Sequence, residues 1–334
     1  MEELNIKLPK KIKIQGNKII IKLGDYEENV FTLDGTDYVP YYLDNTRPGN
    51  KGGNGYVLKL VEAQNIDEDD IYPKIPDLVI KICKFKKSKF SEHTKSQRFK
   101  REIDVLIDCN NKKLPNLICI KNYGIVSIDD FKGKSSDYRY YTMQYADKDL
   151  SGFLEENNLD LVERLQLSID ICSALRQLWS LGYYHRDIKP DNILFVNNNW
   201  MLSDLGLSEH RSNDFLDADA EWIGPRGWMS PESMNKFLTE KRPWNYLYNC
   251  KIDHQSDIFQ IGKVLWYIFQ GNSPQGGIKR QDFLWKNESV YQILRTMLNN
   301  SKEKRIKTID EIIFMLEKVK SNEIKEGKSK YLYA

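Results

Sequence analysis

Two short apolar runs, Ile193 to Val196 and Trp200 to Ser203, flank the triplet Asn197-Asn198-Asn199. Asn tolerates a left-handed backbone, so the triplet predicts a tight turn and the runs predict a hairpin. Closing that hairpin brings its open end together, and the residues standing there are Asn192 and Asp204. Two oxygen ligands distant in sequence can then share one candidate metal site. On one side the hairpin is preceded by His185-Arg186-Asp187-Ile188-Lys189-Pro190-Asp191-Asn192. On the other it is followed by Asp204-Leu205-Gly206.

Phosphoryl transfer needs a carboxylate to orient the attacking hydroxyl, a cation near the transferred phosphate, and oxygen ligands for magnesium. Asp187, Lys189, Asn192 and Asp204 supply these. The eight-residue run with its following Asp-x-Gly resembles the catalytic loop and metal-binding segment of eukaryotic-type protein kinases. Small-molecule phosphotransferases share a shorter His-x-Asp and Asn pattern, whereas Lys189-Pro190 matches the Ser/Thr type of protein-kinase loop.

The other half of such a site stands upstream in the expected order. Asn50-Lys51-Gly52-Gly53-Asn54-Gly55-Tyr56-Val57 resembles the kinase Gly-rich loop, with Asn50 in place of its first Gly. In the resemblance, Gly52, Gly53 and Gly55 let backbone N–H groups approach the ATP phosphates, and Val57 covers the adenine. Leu78-Val79-Ile80-Lys81-Ile82 reads as a strand buried on both faces with one Lys in it, and a buried Lys must find anions. The resemblance assigns Lys81 to the α and β phosphates and to a Glu on the next helix, Ser96 to Cys109, where Glu102 is the candidate. Taken alone, Glu102 also fits a surface i,i+4 pair with Arg98. Ile118 to Ile128 and Tyr138 to Tyr145 read as further strands. After them the resemblance makes Met143 the residue behind the adenine pocket and Gln144-Tyr145-Ala146 the hinge whose backbone binds adenine.

With 334 residues the chain can hold two lobes, each with a core. Its 50 basic and 48 acidic residues imply no global polyanion-binding field, and no nucleic-acid partner is expected. The basic stretch Lys84 to Arg101 reads either as a solvated helix face or as a docking surface for an acidic partner. Five scattered cysteines without CxxC spacing fit a reducing cytoplasm. Neither a leader peptide nor a membrane span is expected.

Residues 1–46 alternate in polarity around an Asp34-Gly35 turn signal, suggesting a strand-rich extension whose role the resemblance does not reach. Residues 47–146 form the expected small lobe, 147–318 the large one and 319–334 a charged tail. The large lobe opens with Asp160-x-x-Glu163 and then Leu161, Leu165, Ile169, Cys172, Leu175 and Trp179 at helical spacing. Asp257-Ile258-Phe259-x-Ile261-Gly262 resembles the central kinase helix, whose Asp holds the catalytic-loop backbone. Thr308-x-x-Glu311 opens the last helix.

Asp204 to Glu232 corresponds to the activation segment, with Glu232 expected to pair with Arg305. Arg186 would ordinarily meet a phosphorylated residue here, yet Ser208 and Ser212 are the only hydroxyls before the closing Ser230. The segment carries Asp214, Asp217, Asp219 and Glu221, so an acidic side chain is expected to substitute for phosphate; these carboxylates equally fit a role in solubility. The chain departs from the family pattern at Leu205, at Pro225 in place of a Thr, and at the aromatic-rich connection from Glu232 to Asp257. That connection includes Trp244, Tyr246 and Tyr248, which read as packing or as a protein-docking surface. Gln281 to Ser289 matches the usual next helix poorly.

The resemblance therefore implies an α+β bilobal protein-kinase-like fold, with a small antiparallel sheet carrying one main helix and a larger, mainly helical lobe. It implies ATP and magnesium, with manganese as an alternative metal, and transfer to Ser/Thr hydroxyls of protein substrates, autophosphorylation included; dual specificity is the alternative, since Pro225 and Trp228 match the tyrosine-kinase pattern. The competing readings are a pseudokinase scaffold and a phosphotransferase acting on a small metabolite.

Overall fold

Asp34 and Gly35 both take positive φ, 51° and 80°, and this left-handed pair closes the amino-terminal hairpin that the turn signal predicts. The computed structural model describes residues 3–8, 12–15, 18–21, 31–42, 55–63, 78–88, 92–129, 134–212, 216–243 and 248–326. Residues 1–112 with 118–145 form one unit, and residues 113–117 with 146–334 form a second.

In the first unit, strands β1 (Glu3–Leu8), β2 (Ile12–Gln15), β3 (Lys18–Ile21), β4 (Phe31–Leu33), β5 (Thr36–Tyr42), β6 (Gly55–Glu62) and β7 (Leu78–Cys83) precede helix α1 (Thr94–Asn111). Strands β8 (Ile120–Asp129) and β9 (Ser135–Gln144) follow it. Seven strands join in the order β1-β8-β9-β7-β6-β5-β4, while β2 and β3 pair with each other. The sheet is antiparallel except where β1 lies parallel to β8, Glu3 opposite Tyr123 and Leu8 opposite Ile128. Of the amino-terminal strands, β1, β4 and β5 are thus continuous with the sheet. Leu33 and Tyr38 from the β4–β5 hairpin share one core with Leu58, Ile80, Val126 and Tyr140.

The basic stretch does not form a single solvated face. Arg98 is buried, Lys84 Nζ lies 4.8 Å over the Tyr56 ring and Lys95 Nζ lies 5.4 Å over Phe85. Aromatic faces attract these cations while their stems cover apolar surface.

The second unit contains β10 (Lys148–Asp149), α2 (Leu150–Glu156), α3 (Leu161–Ser180), β11 (Tyr183–Tyr184), β12 (Ile193–Val196), β13 (Asn199–Leu202) and β14 (Glu209–His210). Helices α4 (Pro231–Thr239), α5 (His254–Gln270), α6 (Glu288–Met297) and α7 (Ile309–Lys325) complete it. Asp160 and Glu163 form the expected capping box on α3, each side chain accepting the other's backbone N–H, at 2.9 and 2.7 Å. The buried face of α3, including Leu165, Cys172 and Leu175, packs against α5 and α7. Asn116 ties α3 to β13: it exchanges hydrogen bonds with the Gln177 side chain, and its own amide donates to Trp200 O at 3.2 Å.

Between α5 and α6 the described residues hold only a short 3-10 turn, Arg280–Asp282, where the sequence matched the usual helix poorly. Helix α7 begins at the Thr308 cap and continues through Lys325, past residue 319 where the charged tail was expected. The structure thus has the α+β architecture expected from the sequence.

Candidate active site

Lys81 sits in β7 between Val57 of β6 and Tyr141 of β9, with strands on both sides. A Lys so placed is costly unless an anion meets it. Its Nζ lies 2.7 Å from Glu102 Oε1, and the two side chains are 6% and 1% exposed. The Tyr141 hydroxyl donates to the same carboxylate oxygen at 2.8 Å. Phe99 and Tyr141 place their rings 5.9 and 5.7 Å from the ammonium. Glu102 projects from the buried face of α1, whose start is capped by His93 accepting the Lys95 N–H. At 1% exposure it is not the surface carboxylate of the alternative reading.

Gly55 opens β6 beside this pair. A Cβ there would stand 2.9 Å from Lys81 Cγ and 3.3 Å from Ile82 O, so the missing side chain is what lets Lys81 pass. Met143 stands opposite Val79 and Gln144 opposite Leu78 at the end of β9. Asn50, Gly52 and Gly53 lie outside the described residues.

In the second unit, β12 and β13 form the predicted hairpin, with Ile193 opposite Leu202. The turn is two residues, Asn197 and Asn198, at φ 48° and 61°, so Asn199 belongs to the strand. At the open end Ser203 N donates to Asn192 O at 2.9 Å, which holds Asn192 next to the residue preceding Asp204. Asn192 is buried, and its Nδ2 donates to Asp187 O and Oδ2 at 2.8 and 2.9 Å. That leaves Oδ1 as the atom able to take a cation. Asp204 has a left-handed backbone, φ 56°. Lys189 Nζ stands 3.8 Å from Asp187 Oδ2. Ala146 follows β9 as the first residue of this unit's longer segment.

Among the described residues no three His, Cys, Asp or Glu side chains gather as a metal site. Magnesium does not require such a cage, since it commonly takes one or two protein oxygens and completes its shell with water and phosphate. The carboxylate of Asp204 and the amide oxygen of Asn192 are hard donors of that kind, so the donor set fits.

The loop carrying Asp187 is held from α5. Asp257, fully buried, accepts His185 N and Arg186 N at 2.8 Å each and the Trp179 indole N–H at 3.0 Å. Burial pushes its carboxyl up to about 6, against the pull of those donors. Burial likewise holds the His185 imidazole down to about 4, opposed mainly by the nearby Asp204 charge.

Arg186, 1% exposed, meets Glu209 Oε2 at 2.6 Å and also pairs with Asp217. Of the other acids read in this segment, Asp219 pairs with Lys241 at 3.0 Å and Glu221 accepts the Ala218 N–H at 2.9 Å. Asp214 lies outside the described residues.

At the end of the segment Glu232 and Arg305 form a buried bidentate pair, at 2.8 and 3.3 Å. Ser256 Oγ donates to the same carboxylate at 3.0 Å. Before it, the Gly227 carbonyl accepts from Lys263 Nζ at 2.8 Å and Ser273 Oγ at 3.2 Å. In the long connection Tyr248 is 48% exposed, and Trp244 and Tyr246 lie outside the described residues.

Sequence reasoning missed Tyr141, Trp179 and Glu209. The first two look like ordinary core aromatics. Glu209 is placed by the two-residue pairing of β14 with β11, which is too short to show periodicity.

The protein kinase domain family matches residues 52–326 of this chain. A tyrosine-protein kinase transmembrane receptor, Ror, of Drosophila melanogaster is 30% identical over 200 residues, 56% of this chain and 25% of that protein. A probable serine/threonine-protein kinase of Clostridium perfringens is 23% identical over 245 residues, 68% of this chain and 32% of that protein. A dual serine/threonine and tyrosine protein kinase of Tetraodon nigroviridis is 26% identical over 195 residues, 58% of this chain and 18% of that protein. The matched region thus spans a third or less of each relative. No helix among the described residues is long and apolar enough to cross a membrane.

Proposed function

The chain belongs to the protein kinase family, and on that premise we propose that it transfers the γ-phosphate of magnesium-bound ATP to Ser and Thr hydroxyls of proteins, itself included. The observation that carries this reading is the formed Lys81–Glu102 pair, 2.7 Å across and buried. A buried ammonium fixed at one end by a carboxylate is preorganised to meet phosphate oxygens without reorganising during the reaction. Gly55 keeps room for it; by the resemblance, adenine contacts are assigned to Val57, Met143, Gln144 and Ala146 and phosphate contacts to Asn50, Gly52 and Gly53.

In the second unit Asp187 orients the acceptor hydroxyl and takes its hydrogen bond. Its own carboxylate is aimed by the Asn192 amide, 2.9 Å away. Lys189 sits beside that carboxylate and offsets charge developing on the transferred group. Asn192 and Asp204 would hold the metal, which when bound would supply positive charge to offset that of the phosphates. Lys189 followed by Pro190 supports Ser/Thr specificity. The free, scattered cysteines support a reducing, cytoplasmic setting.

Arg186 already has two carboxylates against it, which supports activity without phosphorylation of the activation segment. The test is transfer of labelled γ-phosphate by wild type beside Asp187→Ala and Lys81→Ala, with mass-spectrometric mapping of phosphosites. Label on Ser and Thr in wild type, absent from both variants, is the expected result. Label on Tyr alone overturns the specificity, and transfer only to a sugar or aminoglycoside overturns the protein substrate. ATP binding without any transfer makes the chain a scaffold.

A further inference from the structure

Asp187 is flanked by two peptide planes, one carrying the carbonyl of Arg186 and the other the N–H of Ile188. A single side chain holds both. Gln260, one turn beyond Asp257 on α5, is 1% exposed. Its Nε2 donates to Arg186 O at 3.1 Å, and its Oε1 accepts the Ile188 N–H at 3.1 Å. Peptide planes are rigid, so fixing the two planes around one Cα fixes that residue's φ and ψ together. The direction of the Asp187 Cα–Cβ bond is therefore set by the Gln260 amide.

Three further observations show that the local chain cannot do this unaided. Arg186 has φ 70°, a left-handed conformation that is unfavourable for a residue with a Cβ and persists only where its surroundings over-determine it. Asp257 holds the N–H of Arg186, which leaves its carbonyl to Gln260. The chain returning over this point is Gly224, at φ 106°, where an added Cβ would lie 3.2 Å from Gln260 Nε2 and 3.3 Å from Arg186 O. The next residue, Pro225, has neither an N–H nor a hydroxyl to offer the loop.

Resting on the kinase reading above, we propose that Gln260 is the positioning residue for Asp187: a buried amide that locks both peptide planes around the catalytic carboxylate. The task requires one donor and one acceptor on a neutral group, which an amide supplies and neither an aliphatic side chain nor an ionised carboxylate can.

Gln260→Leu and Gln260→Glu test it in the full chain, through kcat, KM for ATP, unfolding midpoint and hydrogen exchange of the Ile188 amide. Gln260→Leu is expected to lower kcat by roughly 10- to 100-fold, the scale of a misplacement near 1 Å, and to leave KM for ATP within about twofold. Exchange at Ile188 should quicken by at least about tenfold, the loss of one hydrogen bond's worth of protection. Gln260→Glu provides the signature that a merely structural role lacks. Its buried carboxyl is driven toward the neutral form, which can both donate and accept, so its kcat should approach wild type at low pH and fall away as the pH rises.

A kcat for Gln260→Leu within twofold of wild type overturns the proposal. So does a Gln260→Glu to wild-type ratio that stays flat with pH. If wild type transfers no phosphate, the kinase reading fails, and exchange at Ile188 still decides whether Gln260 holds the loop: unchanged exchange in Gln260→Leu overturns that as well.

Discussion

Replacing Asp257 with Asn keeps the shape of the side chain while removing its charge, and two opposing terms can be weighed from its contacts. The carboxylate accepts three donors, His185 N and Trp179 Nε1 on one oxygen and Arg186 N on the other. An amide offers one oxygen. Its best orientation keeps the first two donors and leaves the Arg186 N–H facing another donor, at a cost of about 1–3 kcal/mol. Against this stands the burial of the charge. The carboxyl's pKa rises from 3.8 to about 6 in the folded protein. A raised folded pKa contributes stability that is complete below the unfolded value and lost as pH rises through the folded one. The loss is about 3 kcal/mol by pH 7, roughly two pKa units at 1.36 kcal/mol each. The terms offset, so Asp257→Asn should unfold within about 2 kcal/mol of wild type at pH 7.

The pH dependence is the sharper test. Wild type should lead the variant at pH 4 and lose about 2 kcal/mol relative to it between pH 4 and 7, about 1 kcal/mol of this between pH 5 and 7. His185, held down to about 4, titrates with the opposite sign but is present in both proteins and drops out of the difference. Urea denaturation of the two proteins at a series of fixed pH values measures it. A difference that is flat in pH, or that grows in favour of wild type as pH rises, refutes the reasoning.

Three further outcomes are expected. Glu232→Ala strands the buried Arg305 guanidinium and should cost about 3–5 kcal/mol in urea denaturation, part of it recovered when Arg305→Met is added. Phosphatase-treated wild type should keep its kinase activity, whereas Asp217→Asn should lose several-fold in kcat; loss of wild-type activity on dephosphorylation would remove Asp217 and Glu209 from the phosphate's role. Gly55→Ala, whose new Cβ would press on Lys81 Cγ at 2.9 Å, should raise KM for ATP several-fold with little change in the unfolding midpoint.

Features encoded by neighbours in sequence were legible before the structure. The Asp160–Glu163 box, the Asn197–Asn198 turn and the apolar strand around Lys81 each depend on residues within a few positions. Asp257 and the Glu232–Arg305 pair were legible only through family resemblance, because nothing local says that residues so far apart will meet. What escaped was decided by the path of the chain. Four acids were candidates for Arg186, and Asp217 was among them, but Glu209 was not. Gln260 is one of several buried polar residues of α5, with Gln255, Ser256, Asp257 and Lys263, and nothing in the sequence singles out its amide until the loop it contacts is known. The parallel pairing of β1 with β8 leaves no period that sequence could reveal, since alternation sets which face a strand buries and not which neighbour it finds.

The seven-stranded sheet also makes the recognisable domain smaller than the physical one. A chain trimmed to residue 52, where the family match begins, would lose β1 from one margin and β5 with β4 from the other. The four strands left, β8-β9-β7-β6, would present unpaired N–H and C=O groups along both outer strands, each a template for another chain. Leu33 and Tyr38 would leave the core with them. Such a fragment would keep every residue of the kinase pattern from Gly52 onward and still be prone to self-association.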